Sequence, residues 1–314
     1  MTTTWKGVYA MDYAKLQHFS SLKDALAAIY GANVSIAGSQ RVSGGDINDA
    51  WNLTLTNGTH IFMKTNTKEN QSFFTAESTG LAAIAQTKAI GTPRLLCTGT
   101  DEQNSGNAFL LMEFIEHGGQ VRDYWEIFAH QLAAMHQADT SGFVAGKTYG
   151  FAEDNYIGAR RQINTARESW ITFFRDCRLN PQFTDAAPYF DSADRKRISR
   201  LLDNLDKFLV EPEHPSLLHG DLWSGNFITG NDGRAWLIDP AVSVGHAEAD
   251  LAMTELFGGF PRVFYESYRD AAPLQPGYEE RRDLYNLYHL LNHLNLFGRS
   301  YLAAVKAVLR RYVS

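Results

Sequence analysis

The chain is short of several things, and each shortage removes a class. It has 2 cysteines in 314 residues, Cys97 and Cys177, and they form no C-x-x-C motif. Two are too few for a disulfide framework, so both read as reduced thiols of an intracellular protein. It has no basic excess: 29 Lys and Arg stand against 35 Asp and Glu, for a net charge of −6. A broad basic surface for nucleic acid is therefore not expected, and no nucleic-acid partner is assigned. No apolar run reaches the roughly 18 residues that a membrane span needs. Met1 to Ser20 lacks an apolar stretch behind a basic start, so no signal peptide is read and a cytoplasmic place is expected. Repeats and low-complexity tracts are missing as well.

What remains is ordinary globular composition, with 44% hydrophobic and 20% charged residues. A chain of 314 residues exceeds a typical single domain, so two cooperating units are expected. Leu16 to Tyr30 reads as a short amphipathic helix stopped by Gly31. Strand-like runs come next at Val34–Ala37, Ala50–Leu55 and His60–Lys64, and Asn57-Gly58 between two of them signals a hairpin. Ser72 to Ala89 is helical by period, and Arg94–Cys97 and Ala108–Met112 return to strand. Beyond Gly118-Gly119 the pattern is mostly helical, at 125–137, 166–178, 194–210 and 281–312, with a strand-rich insert over 217–237. The expected class is α+β: a small sheet-rich N-terminal lobe over 1–117 and a mainly helical C-terminal lobe over 118–314.

The strongest signal is Leu218-His-Gly-Asp-Leu-Trp-Ser-Gly-Asn226, with Leu237-Ile-Asp-Pro240 placed so that Asp239 stands 18 positions after Asp221. Alone, His-Gly-Asp and Ile-Asp-Pro are each commonly just turns. Together, beside apolar strands, they match what phosphoryl transfer from ATP requires. Asp221 would accept the hydrogen bond of a substrate hydroxyl and aim it at the γ-phosphorus. Asn226 and Asp239 would give Mg²⁺ its oxygen ligands.

Such chemistry needs a phosphate grip upstream. Lys64 ends the run Ile61-Phe-Met, and Glu77 on the next helix could hold it, with Glu69 as a rival. The turn Val42-Ser-Gly-Gly-Asp-Ile-Asn48 carries Gly44 and Gly45, small enough for backbone N–H groups to approach phosphate. It is not the G-x-G-x-x-G of protein kinases, and no Asp-Phe-Gly is found downstream, which argues against that class. The segment Phe109 to Glu116 is the candidate connector between lobes, where backbone groups of Glu113, Phe114 and Ile115 could meet the adenine edge.

At this point the sequence resembles the fructosamine kinase family, the fructosamine 3-kinases and ketosamine 3-kinases. The likeness rests on Trp223 within the His-Gly-Asp segment, on Asp239-Pro-Ala-Val with Gly245-His246, and on Asp250-Leu-Ala-Met-Thr-Glu-Leu-Phe-Gly-Gly-Phe260. It extends over nearly the whole chain, through Ser43-Gly-Gly-Asp-Ile-Asn48, Leu132–His136, Asp154–Gly158 with Gln162 and Asn164, Arg178-Leu179 and Tyr288–His293. The His-Gly-Asp-x₄-Asn core alone is shared with aminoglycoside and choline kinases. The resemblance implies a two-lobe, protein-kinase-like fold of the aminoglycoside-phosphotransferase type. It also implies ATP and Mg²⁺ as cofactors, and phosphorylation of the 3-hydroxyl of a ketoamine or a glycated amine or protein, which would lead to deglycation.

Ser243, Val244 and Ala247 depart from the family pattern, which leads one to expect aromatics before Gly245 and an arginine after His246. That departure bears on the choice of sugar adduct. Trp223, His246, Asp250 and His293 are the candidate substrate contacts, Trp223 because sugar faces stack on aromatic rings. Two other readings stay open: a kinase of another small alcohol, and a non-catalytic nucleotide-binding module. Retention of Lys64, Asp221 and Asp239 speaks against the second.

Overall fold

The structure, a computed structural model, describes residues 16–42 and 47–313. The turn at Gly44 and Gly45 lies outside the described residues. The chain forms two compact units: Met1–Tyr124 with Gly225–Pro240, and Trp125–Ser224 with Ala241–Ser314.

In the first unit, strands β1 (His18–Phe19), β2 (Ile36–Val42), β3 (Asp49–Leu55), β4 (His60–Asn66), β5 (Leu95–Thr100) and β6 (Ala108–Glu113) form one sheet in the order β1-β5-β6-β4-β3-β2. Helices α1 (Leu22–Tyr30) and α2 (Gln71–Thr87) pack on it. Successive strand side chains point to opposite faces, and that alternation sorts the core. Ile61, Met63, Phe109 and Leu111 cluster with Ala25 and Leu26 of α1. Ala108, Leu110 and Met112 cluster with Phe74 and Leu81 of α2. Lys64, one residue out of step with Met63, therefore lies on the α2 face of β4.

The first helix starts later than the period suggested, because His18 and Phe19 pair with Thr98 and Gly99 instead. Ser21 then caps α1, its hydroxyl accepting Asp24 N–H at 3.3 Å, and Gly31 ends it at φ +100°. The β3–β4 turn obeys the Asn-Gly signal, with Gly58 at φ +83° and Thr59 N–H donating to Asn57 Oδ1.

The division read from sequence at residue 117 leaves out a segment that this unit contains. Strands Phe227–Thr229 and Ala235–Leu237 form a hairpin that docks here through Leu237 N–H to Gly91 O (2.8 Å) and Gly118 N–H to Thr229 O (3.1 Å). Gly91 lies so close to the Trp236 ring that an added Cβ would sit 2.8 Å from it. A linear boundary cannot anticipate a hairpin that returns across sequence.

The second unit is largely helical: α3 (Tyr124–His136), α4 (Trp170–Phe173), a π turn over Phe174–Leu179, α5 (Asn180–Asp185), α6 (Ser192–Asp203), α7 (Glu248–Leu256), α8 (Arg262–Ala271), α9 (Tyr278–Phe297) and α10 (Leu302–Tyr312). Its core joins Trp170, Phe173, Phe174 and Leu201 to Tyr285, Leu287 and Leu291 of α9. The helix expected over 166–178 starts only at Trp170. Ser169 caps it there, and the Glu211 carboxylate accepts the N–H groups of Trp170 and Ile171. The long C-terminal helix is two helices, broken at Gly298 with φ +86°. Among the described residues, no helix is long and apolar enough to cross a membrane.

Candidate active site

In the first unit Lys64 Nζ lies 2.6 Å from Glu77 Oε1 and also pairs with Asp239 Oδ1. Strand parity delivers Lys64 to α2, and α2 presents Glu77. The rival Glu69 sits exposed in a single turn of 3-10 helix ahead of α2. Burial alone would lower the Lys64 ammonium, but the charges of Asp239 and Glu77 outweigh it and hold the ammonium above the usual lysine range. Burial pushes Glu77 up to about 7; Lys64 opposes that shift and Asp239 reinforces it. One cation thus serves two carboxylates. Asp239 is the open end of the group, with 35% of its side chain accessible against 10% for Lys64.

Asp239 has φ +54°, and Lys88, which closes α2, is the other non-glycine with positive φ among the described residues. Aspartate tolerates this region better than most residues, yet the conformation remains costly and marks a constrained position. Asn226 is buried beside it: its carbonyl accepts Ile238 N–H at 3.0 Å, closing the same end of the hairpin. The described residues hold no cluster of three or more His, Cys, Asp or Glu fit for a metal. One carboxylate and one amide oxygen instead suit Mg²⁺ that takes its other ligands from phosphate and water.

Glu113 ends β6, and Phe114 and Ile115 come directly after it. Glu113 N–H donates to Arg94 O at 2.9 Å, and its carboxylate accepts Arg94 N–H at 2.8 Å. Glu113 therefore ties β5 to β6, and its N–H is already committed. The Phe114 ring lies 6.0 Å from that of His60. Asn66, not anticipated from sequence, donates to Asn48 Oδ1 and Ile47 O and so ties the residues that lead into β3 to the end of β4.

In the second unit Asp221 stands on a loop with a rigid footing. His219 N–H and Gly220 N–H donate to the two oxygens of Asp250, at 2.7 and 2.8 Å. His219 Nδ1 accepts Asp221 N–H at 3.2 Å. Gly220 has φ +82°, and an added Cβ would meet Ala241 O at 2.0 Å, so only glycine fits there. Asp250 is 1% exposed. Burial would raise its carboxyl, but hydrogen bonds from His136 and the Gly220 N–H hold it below the usual range. An ionised carboxylate only accepts, so His136 Nε2 donates to Asp250 (3.1 Å) and His136 Nδ1 accepts from the Tyr268 hydroxyl (2.7 Å).

Two expected substrate contacts are thereby corrected. Asp250 grips the backbone of the Asp221 loop and is enclosed. His246 is 5% exposed, its ring 5.8 Å from that of Tyr285 and 6.3 Å from that of Trp170. It accepts Glu248 N–H through Nδ1 and donates to Gln275 Oε1 through Nε2, beside the buried Arg281–Glu248 ion pair. Its position is a core one. Trp223 is exposed and His293 half-buried, so both keep access to solvent. Ser243 and Val244 are buried, pairing with Leu218 and Leu217 directly before His219, and Ala247 opens α7.

A polar scaffold that sequence reasoning left without a role lies behind this loop. Strands β7 (Asn155–Ile157) and β8 (Arg160–Gln162) carry Asn155, which donates to Val242 O, and Gln162, which donates to Ala241 O and Asn155 Oδ1. Tyr288 donates to Gln162 Oε1. Arg178, thrown inward by the π turn, donates to Ile163 O, Cys177 O and Asn164 Oδ1, with the Phe173 ring 4.5 Å from its guanidinium. Ala241 N–H in turn donates to His219 O. Arg178→Met is expected to lower unfolding free energy by about 3 kcal/mol or more in denaturant titration, since three acceptors lose their donor at about 1–3 kcal/mol each. An unchanged midpoint would contradict the scaffold role.

Known proteins share both this sequence pattern and this fold. The family model for fructosamine kinase matches residues 18–314. A protein of Synechocystis sp. named as a probable ketoamine kinase is 39% identical over 277 residues, covering 86% of this chain and 88% of that protein. The chloroplastic protein-ribulosamine 3-kinase of Oryza sativa subsp. indica is 40% identical over 285 residues, covering 90% and 81%. A crystal structure from Haemophilus somnus 129PT, named as a candidate fructosamine-3-kinase, superposes with TM-score 0.80 at 30% identity over 94% of this chain and 97% of that one. An aminoglycoside phosphotransferase shares the fold, with TM-score 0.58 at 17% identity. The chain belongs to the fructosamine kinase family, a family of phosphotransferases with a protein-kinase-like α+β fold.

Proposed function

We propose that the protein transfers the γ-phosphoryl group of ATP to the 3-hydroxyl of a ketoamine, the adduct of a sugar with an amine. The observation that carries this reading is the Lys64–Glu77–Asp239 group, with Asn226 beside it, in a chain where Asp221 lies five residues before Asn226. Lys64 supplies a fixed cation for phosphate oxygens, and Glu77 keeps it aimed. Asp239 and Asn226 hold Mg²⁺, which neutralises charge on the phosphates when bound. Asp221 accepts the proton of the attacking hydroxyl as the new O–P bond forms and the bond from the γ-phosphorus to ADP breaks. Little covalent work falls to the protein; positioning and charge supply the rate.

The acceptor class comes from the family and from the relatives named for ketoamines and ribulosamines. Chemistry gives the phosphorylation its consequence. A phosphate on C3 leaves readily once the neighbouring C2 carbonyl has enolised towards C1, and hydrolysis then returns the amine.

The test is Mg²⁺-dependent ATP consumption across fructose, ribulose and erythrulose adducts of amines, free sugars and aminoglycosides. Turnover confined to ketoamines supports the reading; turnover confined to another alcohol discards it. Lys64→Ala is expected to lower kcat/KM for ATP by about 10²–10³-fold, the scale for losing one charge-stabilising donor. Unchanged ATP kinetics would move the phosphate grip elsewhere.

A further inference from the structure

Trp223 has company. Among the described residues of the second unit, the large apolar side chains that stand exposed are Trp223 (39%), Phe257 (43%) and Phe297 (54%). They are not scattered. Phe257 opens the turn Phe257-Gly-Gly-Phe260, in which Gly259 has φ +102° and lies so close to Ser224 that an added Cβ would sit 2.6 Å from the serine Cβ. That contact ties the Phe257 turn to the residue after Trp223. The His293 ring then lies 5.0 Å from the Phe257 ring, 5.4 Å from Phe297 and 5.0 Å from Tyr301. An aromatic shelf of Phe257, His293, Phe297 and Tyr301 thus runs along the end of α9, and its Phe257 turn packs against Ser224, three residues after Asp221.

The shelf has a definite electrostatic character. His293 Nδ1 donates to His289 O at 2.8 Å, which fixes the tautomer. Burial lowers the His293 pKa, so the ring sits in the shelf as a neutral aromatic. Exposed aromatic faces gathered in this way attract alkyl chains and, through their quadrupoles, organic cations. A ketoamine has such a second half. Beyond the sugar that carries O3 comes a secondary amine, protonated near neutral pH, on the carbon chain of the original amine.

Building on the ketoamine function, we propose that Phe257, His293 and Phe297 form a subsite for the amine half of the substrate, an alkyl chain bearing a secondary ammonium, such as a glycated lysine side chain. Trp223 meets the sugar next to Asp221, and the shelf receives the carbon chain beyond the nitrogen. Because the shelf is open to solvent at Phe297, the chain can continue into a peptide.

The test compares two adducts of the same sugar, one made from methylamine and one from the ε-amine of an Nα-blocked lysine amide. The readout is the ratio of their kcat/KM values in the wild-type protein, Phe257→Ala and Phe297→Ala. The ratio is expected to favour the lysine adduct in the wild type and to fall about tenfold in each variant, the scale of one ring–cation or ring–alkyl contact. Equal loss on both adducts, or no loss on either, overturns the subsite. So does sedimentation showing a wild-type dimer that Phe297→Ala dissociates, since the shelf would then be a self-association surface. Failure of the wild-type protein to turn over either adduct overturns the ketoamine reading itself and the subsite with it. That result is distinct from turnover without discrimination.

Discussion

Asp221→Asn and Asp221→Ala are each expected to lower kcat by at least ~10²-fold, the low end for a general base, with KM for ATP near the wild-type value. Asparagine preserves the shape of the side chain but cannot take the proton of the hydroxyl. The loop is held by the Asp250 clamp on His219 and Gly220 N–H and by the Ala241–His219 bond, none of which uses the Asp221 carboxylate. The fold should therefore survive, and circular dichroism should be unchanged. Near-normal turnover in both variants would remove Asp221 from the base role.

Asp250→Ala is expected to lose both stability and turnover. Two buried backbone N–H groups would lose their acceptor at about 1–3 kcal/mol each, and His136 would lose the partner of its Nε2. Asp250→Asn separates the two effects. Its single carbonyl oxygen can serve one N–H, while its NH₂ would face the other donor. Below its melting temperature this variant should stay folded, with kcat reduced about 10-fold or more and KM for ATP little changed, because Lys64, the proposed phosphate grip, belongs to the other unit. A folded Asp250→Asn protein with wild-type kcat would show that the clamp stabilises without positioning.

These two aspartates also show what a sequence can and cannot tell. Spacing picks out Asp221, Asn226 and Asp239 as candidates for the base and the Mg²⁺ ligands, and the Lys64–Glu77 contact arises from strand parity plus one helix. Asp250 is picked out as well, but as a substrate contact; its clamp role stays hidden because its partners are backbone N–H groups about thirty residues away that any sequence would supply. His246 ends the Asp239–His246 segment of the family pattern and carries a polar ring, so it reads as a contact. Its enclosure by Trp170 and Tyr285 depends on helices α4 and α9 meeting, which local pattern does not encode.

Element type was readable almost throughout, whereas boundaries failed where a cap or a change of helix period decides them. Trp170 starts a helix because Glu211 waits for its N–H, and the π turn that aims Arg178 inward has no periodic signature. Asn155, Gln162 and Asn164 belong to the family pattern but take no role from sequence; only the strands beneath Ala241 and Val242 show that their amides are spoken for. The departures at Ser243 and Val244 turn out to pack in the strand against Leu217-Leu218, so they act on the footing of the Asp221 loop.

The most direct measurement is phosphorus–proton correlation NMR on the product made from ATP, Mg²⁺ and a fructose adduct of a lysine derivative. A phosphorus coupled to the proton on C3, with later release of inorganic phosphate and the free amine, is the predicted result. A phosphate on another hydroxyl, or ATP hydrolysis that leaves the adduct untouched, would contradict it.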